Sequence, residues 1–346
     1  MHRPATLISP RVAGGFVAIL LWLSLCTAAI AGDAGARAQA SGLQQEMERL
    51  ASPFGNAVGA FVLDLGSGRS ASLNPDAGFP MASTVKVPVA VHILALVDEG
   101  RLDLRQQVQL KDGDIYPEMG GPLDIHMTPG SAVTIRDLLH MMLTVSDNNA
   151  TDILIRLGGG TAAVDARMRA LGVHGLRVDR YIWEMLAHFY GDPAASARSP
   201  LGLADYARLA TAKLDEADYL RHKRSYNEDP RDTSTPAAMA TLLERIWKGK
   251  ALKPETTTVL KAILLECRTG QARLKGMLPG ATPVAHKTGS VDDVANDVGV
   301  VTLPAGRGDV VVVVFVKSAL DDAAKDRMIA QLARAAYDYF TFVPGR

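Results

Sequence analysis

The feature that most constrains the fold is a run of seven apolar residues near the C-terminal end. Residues Val310–Val316 comprise six valines and one phenylalanine. β-Branched side chains favour strands, and a strand that is apolar on both faces must be covered on both sides. The run therefore predicts a central strand in a sheet that lies between two other layers.

Further strand patterns occur near both ends of the chain, at Val58–Leu65, Val284–Lys287 and Asp297–Leu303. An amphipathic pattern from about Ala323 to Tyr339 predicts a helix after the last strand. Most of the sequence between these regions has helical spacing. We therefore expect an α/β (α+β) fold with an antiparallel sheet flanked by helices. The sheet is built from both chain ends, and an all-helical domain is inserted between them.

The domain boundaries follow from this division. We expect a sheet domain at residues 40–80 and 270–346, and a mainly helical domain at 81–269. The helical domain includes an enlarged loop at 181–232.

The N-terminus has the pattern of an export signal. Arg3 and Arg11 precede the apolar run Phe16–Leu25, and the small residues Ala29-Ile30-Ala31 follow it. This pattern is typical of a secretory signal peptide at residues 1–31, and the apolar run is short for a membrane span. We expect a secreted or periplasmic protein with no stable membrane insertion after signal removal.

Charge and composition exclude several partners. The chain has 37 basic and 37 acidic residues, so nothing indicates a nucleic-acid surface. The eight histidines form no metal-ligand pattern, and no glycine-rich phosphate loop is present. We expect no metal, no cofactor and a monomer.

The first motif that carries chemistry is Ser83-x-x-Lys86. On a helix these two side chains lie on one face, and a serine at the start of a helix lies in a positive local field. A neighbouring lysine stabilises an alkoxide when charged and accepts the serine proton when neutral. Alone, the pattern also fits an ordinary helix cap.

Two later motifs change the interpretation. Ser146-Asp147-Asn148 follows an apolar helical pattern, and Lys287-Thr288-Gly289-Ser290 begins a strand region. The three motifs occur in the order typical of class A β-lactamases and penicillin-binding proteins. The chain resembles the class A serine β-lactamase family, from about Leu43 to Phe340.

The resemblance implies a role for each catalytic residue. Ser83 is the nucleophile, and Lys86 is its base or an electrostatic assistant. Ser146 relays a proton to the lactam nitrogen. The backbone N–H groups of Ser83 and of Ser290 or a near neighbour form the oxyanion hole.

The resemblance also implies a substrate-binding set: Asn148, Lys287, Thr288, Gly289 and Ser290. Asn148 hydrogen-bonds Lys86 and a substrate amide. Lys287 supplies charge for a substrate carboxylate, which Thr288 and Ser290 hydrogen-bond. Gly289 lets the substrate approach the strand closely.

One catalytic position departs from the family pattern. Class A enzymes carry a loop glutamate that activates water to release the acyl group, and it should follow Arg180 by two residues. That position is Ile182. Glu184 is the nearest carboxylate and our candidate for the catalytic base. Either the loop bulges to bring Glu184 into place, or deacylation works differently, or it is slow.

The same loop is enlarged. Arg180 and Asp232 match two family positions whose side chains pair at the base of the loop, and here they flank about fifty residues. Ser199-Pro200 and the spacing after it predict a helix within the insertion. We expect Arg180 and Asp232 to form a salt bridge, with residues 188–230 projecting beside the Ser83 cleft.

The sequence thus favours a secreted serine hydrolase that opens β-lactam rings through a Ser83 acyl-enzyme. Two alternatives remain open. One is a penicillin-binding-type peptidase or esterase that acts on cell-wall peptides. The other is a β-lactam sensor that deacylates slowly. The substrate in each case is a small β-lactam or a cell-wall peptide.

Overall fold

A computed structural model of the protein describes residues 1–2, 42–116, 121–190 and 214–343. Its main sheet has five antiparallel strands in the order β2-β1-β9-β8-β7. The strands are β1 (Val58–Asp64), β2 (Ser70–Leu73), β7 (Val284–Val291), β8 (Val294–Thr302) and β9 (Asp309–Lys317). Both ends of the sequence therefore contribute to one sheet, as predicted.

The valine-rich strand β9 lies in the middle of this sheet. Val312 pairs with Val62 of β1 on one side and with Gly299 of β8 on the other. Even-numbered valines such as Val312 belong to one apolar cluster, and Val313 and Phe315 belong to the other. Successive side chains of a strand point to opposite faces, so β9 is covered on both sides.

Two terminal helices cover the outer face of the sheet. Helix α1 comprises residues 42–51, and helix α11 comprises Asp322–Phe342. Leu43 and Met47 of α1, together with Ile329 of α11, are buried against the even-numbered valines. Burying a side chain of this size stabilises the fold by about 1.5–3 kcal/mol.

The middle of the chain is mainly helical, as predicted. Its helices are α2 (Lys86–Asp98), α3 (Pro122–His126), α4 (Ile135–Thr144), α5 (Asn148–Leu157), α6 (Thr161–Ala170), α7 (Ile182–Tyr190), α8 (Glu216–Glu228), α9 (Pro236–Trp247) and α10 (Pro254–Leu265). Two short strand pairs accompany them: β3 (Phe79–Pro80) with β6 (Thr233–Ser234), and β4 (Gln107–Gln109) with β5 (Ala132–Thr134). The predicted fold class is confirmed.

Helix α2 is the most buried of these elements. It is apolar on nearly every side, and its first eleven residues, Lys86–Leu96, are buried. A 3₁₀ turn, Ala82–Val85, precedes it and carries Ser83. Ser83 therefore lies in a 3₁₀ turn, and Lys86 begins the α-helix that follows it. Pro88 lies in the first helical turn, where the missing N–H has no intrahelical partner to lose.

The base of the enlarged loop is closed by the predicted ion pair. Arg180 Nε lies 2.6 Å from Asp232 Oδ2, and both side chains are buried. Asp232 Oδ1 also accepts the backbone N–H groups of Asp179 and Arg180. The predicted Arg180–Asp232 pairing is confirmed.

The described part of the insertion does not project from the protein, contrary to our expectation. The ring of Phe189 on α7 packs edge-on against Tyr219 and Tyr226 of α8. Lys223 of α8 reaches the turn between β7 and β8, where its Nζ lies 2.8 Å from Asp293. Aromatic burial and these polar contacts hold α8 against the body of the protein.

Three predictions concern residues that are not described. The helix predicted after Ser199-Pro200 falls in 191–213. The signal peptide at 1–31 and its cleavage site after Ala31 lie outside the described residues, apart from the first two positions. Within the described ranges, no helix is both long and apolar enough to cross a membrane.

Candidate functional site

Ser83 and Lys86 lie side by side at the start of the buried helix. Lys86 Nζ is 3.2 Å from Ser83 Oγ. Lys86 is completely buried, and its Nζ also contacts the backbone oxygen of Ser146 at 2.7 Å, Ser146 Oγ at 2.9 Å and Asn148 Oδ1 at 2.6 Å. The turn-then-helix backbone thus places nucleophile and amine within hydrogen-bond distance.

The environment of Lys86 favours its neutral form. Burial lowers the pKa of Lys86 well below its usual value, and the nearby positive charge of Lys287 lowers it further. The more distant carboxylates of Asp147 and Asp152 act in the opposite direction. A neutral amine beside a serine hydroxyl can accept its proton, which is the property that a general base needs.

The junction of α4 and α5 brings the second motif to Lys86. Ser146 has a φ of 62°, which is uncommon for a residue with a side chain. Asp147 is buried and caps α5 by accepting the N–H of Ala150 at 2.8 Å, and it accepts the N–H of Leu123 at 2.9 Å. These bonds fix the sharp turn on which Ser146 and Asn148 reach Lys86.

Strand β7 brings the third motif to the same place. Lys287 is completely buried, and its Nζ lies 3.0 Å from Ser146 Oγ and 2.8 Å from the Thr288 backbone oxygen. Ser146 Oγ is therefore within hydrogen-bond distance of both lysines. Burial lowers the pKa of Lys287 to about 8. The amine thus remains largely charged at neutral pH, which suits it to an anionic group of a ligand.

Gly289 allows β7 to lie against the turn that carries Ser83. A Cβ at position 289 would be 2.5 Å from the Met81 oxygen and 3.0 Å from the Ser83 nitrogen, so only glycine fits. Asn296 of β8 secures the same turn, since its Nδ2 donates to the backbone oxygens of Pro80 and Met81. The Ser83 N–H group and the edge of β7 consequently line one site.

The outer part of the site contains a residue that sequence reasoning missed. Arg273 donates from Nη2 to the Oγ of the exposed Ser290 at 2.7 Å and from Nη1 to the backbone oxygen of Gly289 at 3.1 Å. Its Nε pairs with Asp326. Thr288 Oγ1 is 2.6 Å from Thr269 Oγ1. No motif in the sequence marks Arg273, because its partners lie on a strand and a helix that only the fold brings near.

Glu184, the candidate base, is not among the hydrogen-bond partners of Lys86. Its Oε2 accepts the backbone N–H of Tyr181 at 2.8 Å, which caps the start of α7. Burial raises the pKa of Glu184, while the bond from Tyr181 acts against that shift. One of its two oxygens is therefore held at the start of its own helix, and its role as the base remains a prediction.

A second carboxylate, that of Asp152, contacts the start of α7, and the sequence analysis missed it as well. Asp152, four residues after Asn148 on α5, is only 5% exposed. Its two oxygens accept the backbone N–H groups of Ile182 at 2.7 Å and Trp183 at 3.0 Å. Burial raises its pKa to about 7, although both N–H groups and Lys86 lower it. The four-residue spacing from Asn148 was a usable signal, because it places both residues on one helix face.

Metal chemistry has no candidate site in this part of the protein. Within the residues that the structure describes, no three His, Cys, Asp or Glu side chains are grouped to hold a metal ion.

Comparisons with known proteins agree with this geometry. The profile of the β-lactamase enzyme family matches residues 42–340. The chain is 29% identical to β-lactamase SME-1 of Serratia marcescens, over 90% of this chain and 94% of that one. It is 26% identical to β-lactamase VEB-1 of Pseudomonas aeruginosa, over 88% and 92% of the two chains.

Solved structures give the same result. A β-lactamase from Chitinophaga pinensis superposes with a TM-score of 0.71 at 31% identity, covering 86% of this chain and 98% of that chain. An ancestral class A β-lactamase superposes with a TM-score of 0.68 at 30% identity, covering 86% and 99%. The resemblance stated from the three motifs is confirmed, and the chain belongs to the class A serine β-lactamase family.

Proposed function

We propose that the protein hydrolyses β-lactams through a covalent Ser83 acyl-enzyme. The observation that carries the proposal is the 3.2 Å contact between Ser83 Oγ and the buried Lys86 Nζ. A serine paired with an amine whose pKa is depressed is an activated nucleophile. Membership of the β-lactamase family supports the choice of a cyclic amide as substrate.

Acylation uses the groups around Ser83 in a defined order. Lys86, in its neutral form, takes the Ser83 proton as Oγ attacks the lactam carbonyl. The backbone N–H groups of Ser83 and Ser290 stabilise the negative charge that develops on the carbonyl oxygen. The lactam C–N bond then breaks, and the nitrogen takes a proton from Ser146 Oγ, which Lys86 replaces over 2.9 Å.

Substrate recognition rests on β7. A β-lactam carboxylate would lie beside the charged Lys287, with hydrogen bonds from Thr288 and Ser290. Arg273 donates to Ser290 and adds positive charge at the same end of the site. Asn148 holds Lys86 and faces the substrate amide. These contacts favour substrates that carry an anionic group near the scissile bond.

Export of the protein is part of the proposal. Its support is the N-terminal pattern of arginines, the apolar run Phe16–Leu25 and the small residues that end at Ala31. A periplasmic or secreted enzyme meets β-lactams before they reach the cell-wall enzymes. We propose that the mature protein acts there as a monomer on a small-molecule substrate.

Intact-mass spectrometry tests the function. After mixing with a penicillin, the protein should show a transient mass increase equal to that of the drug, together with hydrolysed product. Ser83→Ala should form no adduct, whereas Ser52→Ala, an exposed serine on a surface turn, should behave as wild type. An adduct in Ser83→Ala would refute the assignment. A lasting wild-type adduct would instead indicate a sensor.

A further inference from the structure

The enlarged loop contacts the strand that carries the substrate-binding motif. Helix α8 belongs to the described part of the insertion, and the turn between β7 and β8 consists of Asp292 and Asp293. Ser290, whose N–H group and Oγ serve the proposed reaction, lies two residues before this turn. Contacts between α8 and the turn therefore bear on the position of Ser290.

Three side chains of α8 hold both aspartates of the turn. Lys223 Nζ lies 3.0 Å from Asp292 Oδ2 and 2.8 Å from Asp293 Oδ1. Tyr219 donates its hydroxyl to Asp292 Oδ1 at 2.7 Å, and Asn227 donates from Nδ2 to Asp293 Oδ2 at 3.4 Å. All four carboxylate oxygens of the turn thus have a partner on α8. These five residues are here called the clasp.

We propose that Lys223 and Tyr219 are positioning residues for acylation: by holding the β7–β8 turn, they keep Ser290 in place beside Ser83. The inference rests on the proposed acyl-enzyme function and goes beyond it by giving the enlarged loop a part in the reaction. Both residues act through Ser290 and not on the substrate itself.

The charges of the clasp support this role. Two neighbouring aspartates repel each other, and Lys223 lies between them and compensates both charges. Burial raises the pKa of Asp292, but the bonds from Tyr219 and Lys223 outweigh it and lower that pKa. The side chains of the ion pairs are each less than a quarter exposed, so solvent screens them less than an open surface pair.

The turn has room to move if the clasp is removed. Strand β7 is at the edge of the sheet, with β8 as its one neighbour there. Lys223, Ser290 and Arg273 line a common cleft of about 590 Å³ beside the turn. Asp292 has a φ of 48°, which is uncommon for a residue with a side chain. Lys325 of α11 donates to the backbone oxygen of Asp292, so the clasp is what fixes the side chains of the turn.

Small displacements of Ser290 affect the chemistry. Ser290 pairs with Ala295 of β8 in the sheet, and its Oγ accepts from Arg273 at 2.7 Å. Gly289, just before it, lies against the backbone nitrogen of Ser83. A misplacement of about 1 Å in a catalytic site can cost roughly 100-fold in rate. The end of β7 must therefore be held closely for its N–H group and hydroxyl to meet the substrate.

Lys223→Met tests the proposal by removing the charge while keeping an aliphatic stem. Its rate constant for acylation by a penicillin, measured by stopped flow, should fall by about 10- to 100-fold. Lys223→Arg, which keeps the charge, should retain most of the rate. Arg221→Ala is the matched control on the same helix, because Arg221 pairs with Asp218 of α8, and it should acylate as the wild type does.

The amount of adduct separates positioning from a loss of folded protein. With a β-lactam that forms a lasting adduct, intact-mass spectrometry gives the fraction of the protein that is finally acylated. Lys223→Met should reach the same fraction as the wild type, only more slowly. A lower fraction with an unchanged rate would assign a merely structural role to Lys223 and overturn the proposal.

A double variant tests whether Lys223 acts through Ser290. Ser290→Ala should slow acylation by itself, and adding Lys223→Met should then cost less than it costs in the wild type, because residues that act as one unit are not additive. Two effects that multiply in full would show that Lys223 acts independently of Ser290, which would overturn the proposal.

The remaining outcomes are also decisive. Wild-type acylation in Lys223→Met would overturn the proposal, as would an equal loss in Arg221→Ala. If Lys223→Met does not fold, Asp293→Asn weakens the clasp from the turn, and an unchanged acylation rate in that variant would overturn the proposal. A wild-type protein that forms no adduct would refute the acyl-enzyme function itself, which distinguishes the two failures.

Discussion

At the scale of single residues, the site depends on two buried lysines whose pKa values both lie below the usual value. Lys86 and Lys287 both contact Ser146 Oγ, at 2.9 Å and 3.0 Å. Two ammonium groups this close repel each other, and burial penalises each of them. The pKa of Lys86 is lowered well below its usual value, whereas the pKa of Lys287 is lowered to about 8. The two lysines therefore suit different roles in the reaction. These shifts suit Lys86 to the role of base that we propose for it, and Lys287 to the role of the charged group.

This division makes a prediction for Lys287→Ala. Loss of a charge-assisted contact should weaken the capture of a carboxylate-bearing penicillin by about 1.5–3 kcal/mol, which is roughly 10- to 150-fold in the acylation rate constant. In the wild type, the same rate constant should fall as pH rises through about 8, because the lysine then loses its charge. Stopped-flow acylation measures both effects.

A substrate without a carboxylate serves as the control. A simple ester that acylates Ser83 should be affected much less by Lys287→Ala, since it offers no anion to the lysine. Equal losses for the penicillin and the ester would show that Lys287 maintains the site and does not bind the carboxylate.

The sequence predicted some residues of this site and missed others for a physical reason. Ser83, Lys86 and Ser146 belong to short local patterns, and the structure brings them together with Lys287. Arg273 was missed because its partners, Ser290 and Asp326, lie on distant segments of the chain. Asp152 was missed although its four-residue spacing from Asn148 on one helix was a usable signal. Glu184 was selected by its closeness in sequence to Ile182; one of its oxygens caps α7 by accepting the N–H of Tyr181, and its catalytic role remains a prediction.

At the scale of elements, the sequence predicted the ion pair at the base of the enlarged loop but not how the rest of the loop packs on the protein. The Arg180–Asp232 pair was predictable because lengthening a loop adds little closure entropy and leaves contacts at its base intact. The docking of α8 was not predictable. It depends on contacts such as the ion pairs of Lys223 with Asp292 and Asp293, and these two aspartates lie about seventy residues after Lys223 in the sequence.

His188 makes the base of this loop sensitive to acid. It is buried, and its Nδ1 lies 2.6 Å from Arg180 Nη1 and 3.2 Å from Arg231 Nη2. Because an arginine can only donate, Nδ1 must accept these hydrogen bonds, and the imidazole must be neutral. Burial and then the two arginines lower its pKa from 6.5 to about 4, against the opposing charge of Asp229.

The sign of the pH effect follows from this shift. Between about pH 6.5 and 4 the unfolded chain binds a proton that the folded protein does not, so stability falls as the pH falls. From pH 7 to 5 this group should lower the free energy of unfolding by about 2 kcal/mol. Urea unfolding of the wild type and of His188→Asn, which keeps an acceptor but cannot be protonated, measures it.

An exposed histidine provides the control for this prediction. His174→Asn should leave the pH dependence of unfolding as in the wild type, because His174 is on the surface. If His188→Asn loses as much stability on acidification as the wild type does, the acid sensitivity belongs to another group.

At the scale of the whole molecule, the sheet joins the two apolar clusters. One cluster lies between the sheet and the terminal helices, and the other lies between the sheet and the helices around Ser83. Residues from Leu43 onward belong to one compact unit. The central position of β9 was predictable because a run of valines without alternation fits only a strand buried on both faces. The boundaries of the two expected domains, at residues 80–81 and 269–270, remain a prediction.

The shared sheet leads to a prediction about cooperativity. Val312 and Val313 are adjacent on β9 and completely buried, but they belong to opposite clusters. Val312→Ala and Val313→Ala should each cost about 2 kcal/mol, because each removes buried apolar surface and leaves a cavity. Since both clusters rest on one strand, either variant should lower the temperature of the same single transition in scanning calorimetry. Two separate transitions, with each variant shifting only one of them, would show that the sheet and helical parts unfold independently.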